Sequence, residues 1–255
     1  MADINNVVAI ALTCLLVVLT TVAYFILTAK KSSSKKTKKR EPAVFITGPS
    51  RSGKTALFTL LTTGDVRNTV TSQDINIKKK YENKVDLIDF PGHVKLHYKL
   101  IDSLRNTEHI KGLIFVVDAT IDPKRLTDTA EFLLDILSIT EVSKEPIDIL
   151  IACNKSESFT ARPPNKIKEA LEKEVSMAIA RQKKSLSEVN QKADLGAGAD
   201  DATDDNENAG FLENFNGDVT FTFSMLEGEV DASKGSVMKK DISNWEKWLD
   251  DKLSA

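Results

Sequence analysis

The stretch that most constrains the fold of this chain is "GPSRSGKT", residues 48–55. It matches the pattern G-x-x-x-x-G-K-[ST], follows a short apolar run and opens a segment with helical spacing. Glycines let such a loop curl so that successive backbone N–H groups point inward at phosphate oxygens. The lysine reaches the terminal phosphates and the last hydroxyl binds Mg²⁺. Candidate phosphate contacts are therefore Gly48, Pro49, Ser50, Arg51, Ser52, Gly53, Lys54 and Thr55, and Thr55 is also a candidate metal ligand.

Short apolar runs alternate with segments of helical spacing along most of the chain. Strands are predicted at 43–48, 84–90, 112–119, 146–154 and 219–223, and helices at 54–63, 122–138, 165–190 and 242–253. Continuous apolar runs are typical of parallel strands that are buried on both faces. The alternation predicts an α/β fold with a doubly wound, mostly parallel sheet. Asp122 and Pro123 are expected to begin the helix at 122–138.

The motif "DFPGH", residues 89–93, ends the strand that follows the phosphate loop. A carboxylate at Asp89 can hold Mg²⁺ through a water molecule. Gly92 has no side chain, so its N–H can approach a terminal phosphate closely. His93 would stand beside that phosphate, where it could orient an attacking water, which makes His93 and Gly92 the candidate catalytic residues. The alternative is a Pro-Gly turn with an exposed histidine.

The polar loop "DVRNTVTSQDIN", residues 65–76, lies between these two motifs. Its position predicts that it crosses over the metal. A threonine hydroxyl from the loop would complete the coordination of Mg²⁺. Thr69 is the first candidate for this ligand and Thr71 the second.

The stretch "IACNKSE", residues 151–157, ends the strand after the long helix at 122–138. Ligands of open α/β sheets bind at this carboxyl edge. The Asn154 amide can contact the guanine edge and brace the phosphate loop, and the Lys155 stem can cover the purine face. A carboxylate at Glu157 can accept from the paired donors of guanine, which adenine lacks. Guanine-nucleotide proteins of one large superfamily use Asn-Lys-x-Asp for this purpose. Glu157 replaces that Asp, so its carboxylate reaches about 1.5 Å further.

Residues 7–29 contain no charged side chain. A helix of this length is about 34 Å long, enough to cross a hydrocarbon core of about 30 Å. We predict a transmembrane helix. A cleaved signal peptide is disfavoured because the acidic "MADINN" precedes a run that is too long. A buried soluble helix is the other alternative.

The segment at 30–41 is rich in lysine and serine and follows the predicted span. Basic residues on one side of a span predict a luminal N-terminus at 1–6 and a cytosolic domain at 42–255. The same run can contact anionic membrane lipid. A second biased segment, at about 193–210, is acidic and predicted to be a disordered insertion, because it has almost no large apolar residue. A metal-binding acidic loop is the alternative for this insertion.

The composition leaves the function class open. The formal net charge of −2 argues neither for nor against a nucleic-acid partner. The two cysteines, Cys14 and Cys153, lie in apolar runs, so they indicate no disulfide framework.

Together the predicted span, the basic run, "GPSRSGKT", "DFPGHVKL", "FVVDA" and "LIACNKSESFTARPPNKIKEALEKE" resemble the beta-subunit family of the signal recognition particle receptor, in a fungal form. The likeness runs from about residue 7 to the C-terminus, apart from the acidic insertion. It implies a P-loop small-GTPase fold near the Arf and Sar proteins, preceded by one transmembrane helix. It also implies binding of GTP or GDP with Mg²⁺.

The resemblance further implies a single-span protein of the endoplasmic reticulum membrane. Its GTP-bound face would bind the N-terminal domain of the receptor alpha subunit. Ribosome–nascent chain complexes would be indirect partners and the translocon a further one, with no direct contact to nucleic acid. Related GTPases complete the base site with a Ser-Ala-Lys loop. This chain departs from that pattern with "FSMLEGE", where Ser224 is the candidate carried over.

Two functions remain distinct at this point. In the first, GTP gates an anchor that holds the alpha subunit at the membrane. In the second, the protein is a cycling Arf- or Sar-like GTPase in vesicle traffic, whose hydrolysis drives its function. We find no arginine placed to assist hydrolysis in cis, and unassisted members of this superfamily turn over at about 10⁻⁴ s⁻¹. The sequence therefore favours the anchor with slow intrinsic hydrolysis.

Overall fold

The computed structural model describes residues 16, 17, 20, 21, 42–82, 84–122, 125–143, 145–193, 211, 212, 215 and 220–254, with side chains to residue 185 in the helix that ends at 193. The chain divides into two compact units, Met1–Arg40 and Glu41–Ala255. Most of the predicted span at 7–29, the segments 1–6 and 30–41, and residues 194–210 of the acidic segment lie outside the described residues. Among the residues that are described, no helix has the length and apolar character needed to cross a membrane.

The second unit is an α/β domain. Its described strands are β1 (Ala43–Thr47), β2 (Asn76–Tyr81), β3 (Val85–Asp89), β4 (Ile110–Asp118), β5 (Ile149–Asn154) and β6 (Val230–Lys234). The helices are α1 (Lys54–Thr63), α2 (His97–Asn106), α3 (Leu126–Thr140), α4 (Pro164–Ala193) and α5 (Ser243–Ser254). Short 3₁₀ helices occur at Val94–Leu96 and Phe223–Met225.

The six strands form one sheet in the order β2-β3-β1-β4-β5-β6. Only β2 runs antiparallel to its neighbour, with Ile77 opposite Ile88. The parallel register pairs Ile46 with Asp89 across β1 and β3, and Asp118 with Asn154 across β4 and β5. The carboxyl ends of five strands therefore meet at one edge, where ligands of open α/β sheets bind. This confirms the predicted mostly parallel sheet.

Helices cover both faces of the sheet, as the buried central strands require. Helices α2, α3 and α4 share one apolar cluster with alternate residues of the sheet, and α1 and α5 share the other. In α5, Trp245 and Leu249 are each 1% exposed, which confirms the predicted amphipathic helix at the C-terminus. Cys153 lies buried in β5 as a free thiol.

The predicted strand at 219–223 is wrong. Phe221 and Phe223 are buried, but their backbone N–H groups donate to α4 side chains, Ser176 Oγ and Glu172 Oε1, each at 2.9 Å. Because side chains satisfy this backbone, it needs no neighbouring strand. The last strand is instead β6, whose sequence "VDASK" carries little apolar pattern.

Other boundaries also differ from the sequence-based expectation. Helix α3 begins at Leu126, and the Arg125 N–H donates to the Asp122 carbonyl in a turn before it. Helix α4 extends to Pro164–Ala193. Strand β2 and helix α2 were not predicted. In β2 this is because a polar edge strand, "NIKKKY", lacks a clear apolar pattern.

Candidate nucleotide-binding site

The loop between β1 and α1 has the backbone of an anion cradle. Gly48 and Gly53 adopt φ of 137° and 100°, and Arg51 adopts 65°. These conformations turn the chain sharply into α1. A Cβ atom at Gly48 would lie 3.1 Å from the backbone nitrogen of Val116 in β4, so a larger residue does not fit. The N-terminus of α1 then points its N–H groups at the cradle, which suits a phosphate group.

Lys54, the first residue of α1, is buried beneath this loop. Its ammonium donates to the Pro49 carbonyl at 2.7 Å. Burial lowers the pKa of Lys54 to about 8, although the nearby Asp89 acts in the opposite direction. Gly92 lies against the same ammonium, since a Cβ there would meet Lys54 Nζ and come within 2.7 Å of the Gly48 carbonyl oxygen. Lys54 and the Gly92 backbone can thus contact one terminal phosphate together.

A group of polar side chains lies on the other side of Thr55. Its Oγ1 donates to Asp89 Oδ2 at 2.8 Å and is 2.9 Å from Ser72 Oγ. The Asn76 amide also donates to Asp89 Oδ2, at 3.0 Å. Asp89 Oδ1 is buried and has no hydrogen-bond partner among the described residues. Burial raises the pKa of Asp89, and the bonds from Asn76 and Thr55 oppose that effect.

This arrangement fits a magnesium ion, although the described residues contain no group of three or more His, Cys, Asp and Glu side chains that would hold a metal alone. Mg²⁺ keeps several waters and is usually bound by one or two carboxylates plus substrate phosphates. Thr55 Oγ1 would ligate the ion, and the unpartnered Asp89 Oδ1 would accept from one of its waters. A divalent charge nearby would favour the carboxylate form of Asp89.

A pocket of about 250 Å³ lies over these groups. It is lined by the phosphate loop, by Pro91 and Gly92, and by residues 69–72 of the polar loop. Thr69 and Thr71 are both exposed in this wall, whereas Ser72 is half-buried beside Thr55. The structure therefore adds Ser72 as a candidate metal-side residue. Ser72 was not predicted, because only threonines of this loop were considered as metal ligands.

His93 does not line this pocket. Its side chain is exposed, and its Nδ1 accepts from the Lys95 N–H at 3.2 Å, at the start of the 3₁₀ helix Val94–Leu96. The structure thus brings Gly92, but not the His93 ring, to the predicted phosphate position.

The base side of the site is organised by Asn154 at the end of β5. Its Nδ2 donates to the Ser52 carbonyl at 2.8 Å, and its Oδ1 accepts from the Val237 N–H at 3.1 Å. A Cβ at Gly53 would collide with the same amide. The predicted bracing of the phosphate loop by Asn154 is therefore present in the structure.

Lys155 adopts a left-handed backbone, φ 65°, and its ammonium pairs with Asp118 Oδ2 at 2.5 Å. Thr120 donates to the other oxygen of Asp118 from its N–H and its hydroxyl, at 2.9 and 2.6 Å. Burial alone would raise the pKa of Asp118, but the bonds from Lys155 and Thr120 outweigh it and lower the pKa. This pairing ties the Lys155 stem to the end of β4.

The last two predicted base contacts, Glu157 and Ser224, lie in different parts of the fold. Glu157 is exposed in the loop after Lys155, so its carboxylate is accessible. Ser224 precedes β6, in the 3₁₀ helix Phe223–Met225, and its hydroxyl bonds Thr222 at 2.9 Å. A residue that precedes a parallel strand lies away from the carboxyl edge.

The segment next to Asn154 is instead the loop that follows β6. The Gly235 N–H donates to the Cys153 carbonyl at 3.0 Å, and the Gly235 carbonyl accepts from the Ser156 N–H at 3.2 Å. This loop was not predicted, because the last strand was predicted at 219–223 and the structure has it at Val230–Lys234.

The sheet order, the phosphate loop after β1 and the side chains gathered at the carboxyl edge define a P-loop nucleotide-binding protein of the small-GTPase fold. A small GTPase from Trypanosoma brucei, solved with a bound nucleotide analogue, shares this fold at a TM-score of 0.51 and 14% identity, over 84% of this chain and 98% of that one.

Closer similarity identifies the family. The sequence model of the signal recognition particle receptor beta subunit matches residues 39–230. The beta subunit of Saccharomyces cerevisiae is 53% identical over 85% of this chain and 86% of its own length. The chain belongs to the signal recognition particle receptor beta-subunit family, which confirms the resemblance.

Solved structures agree with this assignment. The mammalian SRP receptor matches at 30% identity and a TM-score of 0.63, over 82% of this chain and 99% of that one. The Chaetomium thermophilum receptor subunit SRb with GDP and Mg matches at 25% and 0.59, over 84% and 98%. The SRb-GTP/SRX complex from the same organism matches at 26% and 0.58, over 82% and 97%.

The buried Lys54 predicts that phosphate binding takes up a proton. Without a ligand the pKa is about 8, so at pH 9 the side chain is mostly neutral. Bound phosphates would raise that pKa because they stabilise the ammonium. We expect uptake approaching one proton per GDP at about pH 9 and little at about pH 7, measured by calorimetry in buffers of different ionisation enthalpy.

Lys54→Arg is the matched comparison, because a guanidinium stays charged at both pH values. It should bind GDP without this proton uptake, while Lys240→Arg, on the surface, should behave as the unchanged chain does. Equal uptake at the two pH values in the unchanged chain would contradict the prediction.

Proposed function

We propose that this chain is a guanine-nucleotide-binding subunit whose GTP-bound form holds the receptor alpha subunit at the endoplasmic reticulum membrane. The observation that carries the nucleotide part is the site at the carboxyl edge: a buried lysine under a glycine-turned loop, beside a buried carboxylate oxygen that has no partner among the described residues. A ligand with phosphates and a cation would satisfy both groups. The C. thermophilum structures with GDP and Mg, and with GTP, support the same ligands for this chain.

Guanine is the proposed base. Asn154 is already fixed by bonds to Ser52 and Val237, which leaves its second amide hydrogen for a purine nitrogen. Lys155 is fixed through Asp118, and Glu157 is exposed beside it. We place the loop around Gly235 at the remaining side of the base, in place of Ser224. A carboxylate that accepts two donors selects guanine, because adenine cannot supply that pair.

Replacement of Glu157 tests the base. Glu157→Ala in the full-length chain should weaken GDP binding by about fivefold or more, because the base donors lose their acceptor. Glu157→Asp should bind as tightly as the unchanged chain or more tightly. The measurement is competition of GDP and ADP against a fluorescent guanine nucleotide.

Glu169→Ala is the control, since Glu169 is a glutamate of α4 that pairs with Lys166. Guanine specificity is refuted if ADP or ATP displaces the probe as well as GDP does. The role of Glu157 is refuted if its alanine variant binds GDP as the control does.

The segments around the terminal phosphate position carry exposed apolar side chains. Val70 of the polar loop is 88% exposed, Val94 75%, Tyr98 63% and Ile77 of β2 53%. Lys99 of α2 links two of these segments, since its ammonium pairs with Asp74 at 2.9 Å. Exposed apolar side chains on segments that a phosphate would order are suited to a partner that recognises the GTP form. We propose the alpha-subunit N-terminal domain as that partner.

Nucleotide-dependent binding of the alpha subunit tests this surface. The full-length chain with a non-hydrolysable GTP analogue should bind the alpha-subunit N-terminal domain more tightly than the chain with GDP. Tyr98→Ala should weaken the GTP-analogue complex by about tenfold, the loss expected for a central aromatic contact. The measurement is the dissociation constant in each nucleotide state.

Val142→Ala is the matched control, because Val142 is 71% exposed just after the end of α3, away from the carboxyl edge. The alpha-subunit domain binds the GTP-analogue form more tightly than the GDP form by some factor. By linkage, the bound domain must raise the preference of the chain for the GTP analogue over GDP by the same factor. Equal affinity for the GDP and GTP-analogue forms would exclude the proposed switch.

Hydrolysis is a secondary property in this proposal. The His93 ring is engaged with the Lys95 N–H and would have to rotate before it could orient a water at the terminal phosphate. Slow intrinsic turnover is therefore expected. A long-lived GTP state suits a subunit that holds a partner in place.

The membrane part of the proposal rests on the sequence. Residues 7–29 carry no charge, and seven lysine and arginine side chains follow at 30–40. We propose one span, with the short N-terminus in the lumen and the nucleotide-binding domain in the cytosol. The basic run would then lie at anionic lipid headgroups.

Glycosylation mapping tests this topology. An acceptor site added before residue 7 should be modified in microsomes, because that end is luminal. An acceptor added near residue 200 should stay unmodified, because that part is cytosolic. The measurement is the gel shift that an endoglycosidase removes, and the reverse pattern would contradict the proposed orientation.

A further inference from the structure

Asn76, the first residue of β2, was not predicted as a site residue. It lies directly opposite Asp89 in the antiparallel pairing of β2 and β3. Its side chain is half-buried, and its Nδ2 donates to Asp89 Oδ2 at 3.0 Å and to Ser72 Oγ at 3.3 Å. One amide therefore joins the polar loop to the strand that ends at Asp89.

The direction of each hydrogen bond around Asn76 follows from the hydrogens that are available. A carboxylate only accepts, so the Thr55 hydroxyl, 2.8 Å from Asp89 Oδ2, donates its single hydrogen there. Thr55 Oγ1 is then the acceptor in its 2.9 Å bond with Ser72, and the Ser72 hydroxyl is the donor. Ser72 Oγ accepts in turn from Asn76. The four side chains thus form a closed ring of hydrogen bonds that runs from the Asn76 amide to Asp89 Oδ2 by two routes.

This ring determines which oxygen of Asp89 remains available to a ligand. Oδ2 accepts two hydrogen bonds, one from Thr55 and one from Asn76. Oδ1 is buried and accepts none from the described residues. The ring uses every hydrogen of the Asn76 amide and of the two hydroxyls, so none of them can turn to Oδ1 without breaking a bond. The ring therefore keeps Oδ1 as the oxygen that would accept from a water of Mg²⁺.

We propose that Asn76 is a positioning residue of the magnesium site, which orients Asp89 and Ser72 and thereby sets the affinity of the nucleotide complex for Mg²⁺. This rests on the proposed nucleotide function. Mg²⁺ demands near-ideal octahedral geometry, so its affinity is sensitive to the orientation of the groups around it. The Asn76 amide acts through its neighbours, because both of its hydrogens are bonded within the ring.

Two replacements test this role. Asn76→Leu keeps a branched side chain of similar volume and removes both hydrogens. Asn106→Leu makes the same chemical change at the last residue of α2, where the Asn106 amide donates to Asp102 Oδ1 at 2.7 Å. This control removes a hydrogen bond from an asparagine to an aspartate that has no part in the ring.

The measurement is the release of a fluorescent GDP from each full-length chain as the free Mg²⁺ concentration is varied. The midpoint of that titration gives the Mg²⁺ affinity of the GDP complex, and the GDP affinity in EDTA reports on the rest of the site. Asn76→Leu should raise the midpoint about tenfold, the loss expected when a group that orients metal ligands is removed. Its GDP affinity in EDTA should change by less than about twofold, and Asn106→Leu should leave both quantities within about twofold.

An unchanged Mg²⁺ midpoint in Asn76→Leu would overturn the proposal. An equal loss of GDP affinity with and without Mg²⁺ in that variant would also overturn it, because it would show a role in packing alone. GDP release that does not depend on Mg²⁺ in the unchanged chain would exclude the magnesium site itself. Failure of the unchanged chain to bind GDP would instead refute the proposed function on which the inference rests.

Discussion

The buried amide of Asn154 is the interaction on which the rest of the site depends. Its two ends bond the Ser52 carbonyl and the Val237 N–H, and the backbone carbonyl of Asn154 accepts from the Ala119 N–H. Loops that follow β1, β4 and β6 are thus fixed to the end of β5. An aspartate would lack the donor, and an alanine would leave both partners buried without a bond, at about 1–3 kcal/mol each. The geometry requires an asparagine at this position.

On the base side, hydrogen bonds within the protein satisfy the buried polar groups. On the phosphate side, buried polar groups are left incompletely satisfied. Lys54 is buried and its pKa is lowered to about 8, and one oxygen of Asp89 is buried without a partner in the described residues. Each group costs free energy in the protein alone, because burial disfavours charge that is not fully compensated. A ligand with phosphates and a cation would offset both costs. Nucleotide binding should therefore contribute to the stability of the domain as well as to its function.

The parts that the sequence predicted correctly are those in which neighbouring residues carry the pattern. The phosphate loop and the buried central strands are local in sequence, and the structure shows each of them. The Asn154 brace joins residues 102 positions apart, but the short motif "IACNKSE" was enough to predict it. The parts that failed depend on distant residues. Phe221 and Phe223 have the alternation of a strand, but Ser176 and Glu172 of α4 bind their N–H groups.

The same reason explains the other omissions. Strand β6 is weakly patterned, yet two side chains satisfy carbonyls along it, Lys168 at Val230 and the Trp245 indole at Ser233. Ser72 was overlooked because nothing in a polar loop distinguishes one hydroxyl from the next until Thr55 is beside it. Because β6 was misplaced, the loop around Gly235 was assigned to the wrong position.

The contrast between the two sides indicates how one terminal phosphate could affect a distant surface. The base side is fixed by side-chain bonds, so a change in the phosphates cannot be absorbed there. It would act on the phosphate side, where Gly92 lies against Lys54 and the phosphate loop, shortly before α2 begins at His97. Helix α2 carries the exposed Tyr98 and, through Lys99, holds Asp74 of the polar loop. In the proposed function, a shift at one glycine is thereby transmitted to both segments that the partner would contact.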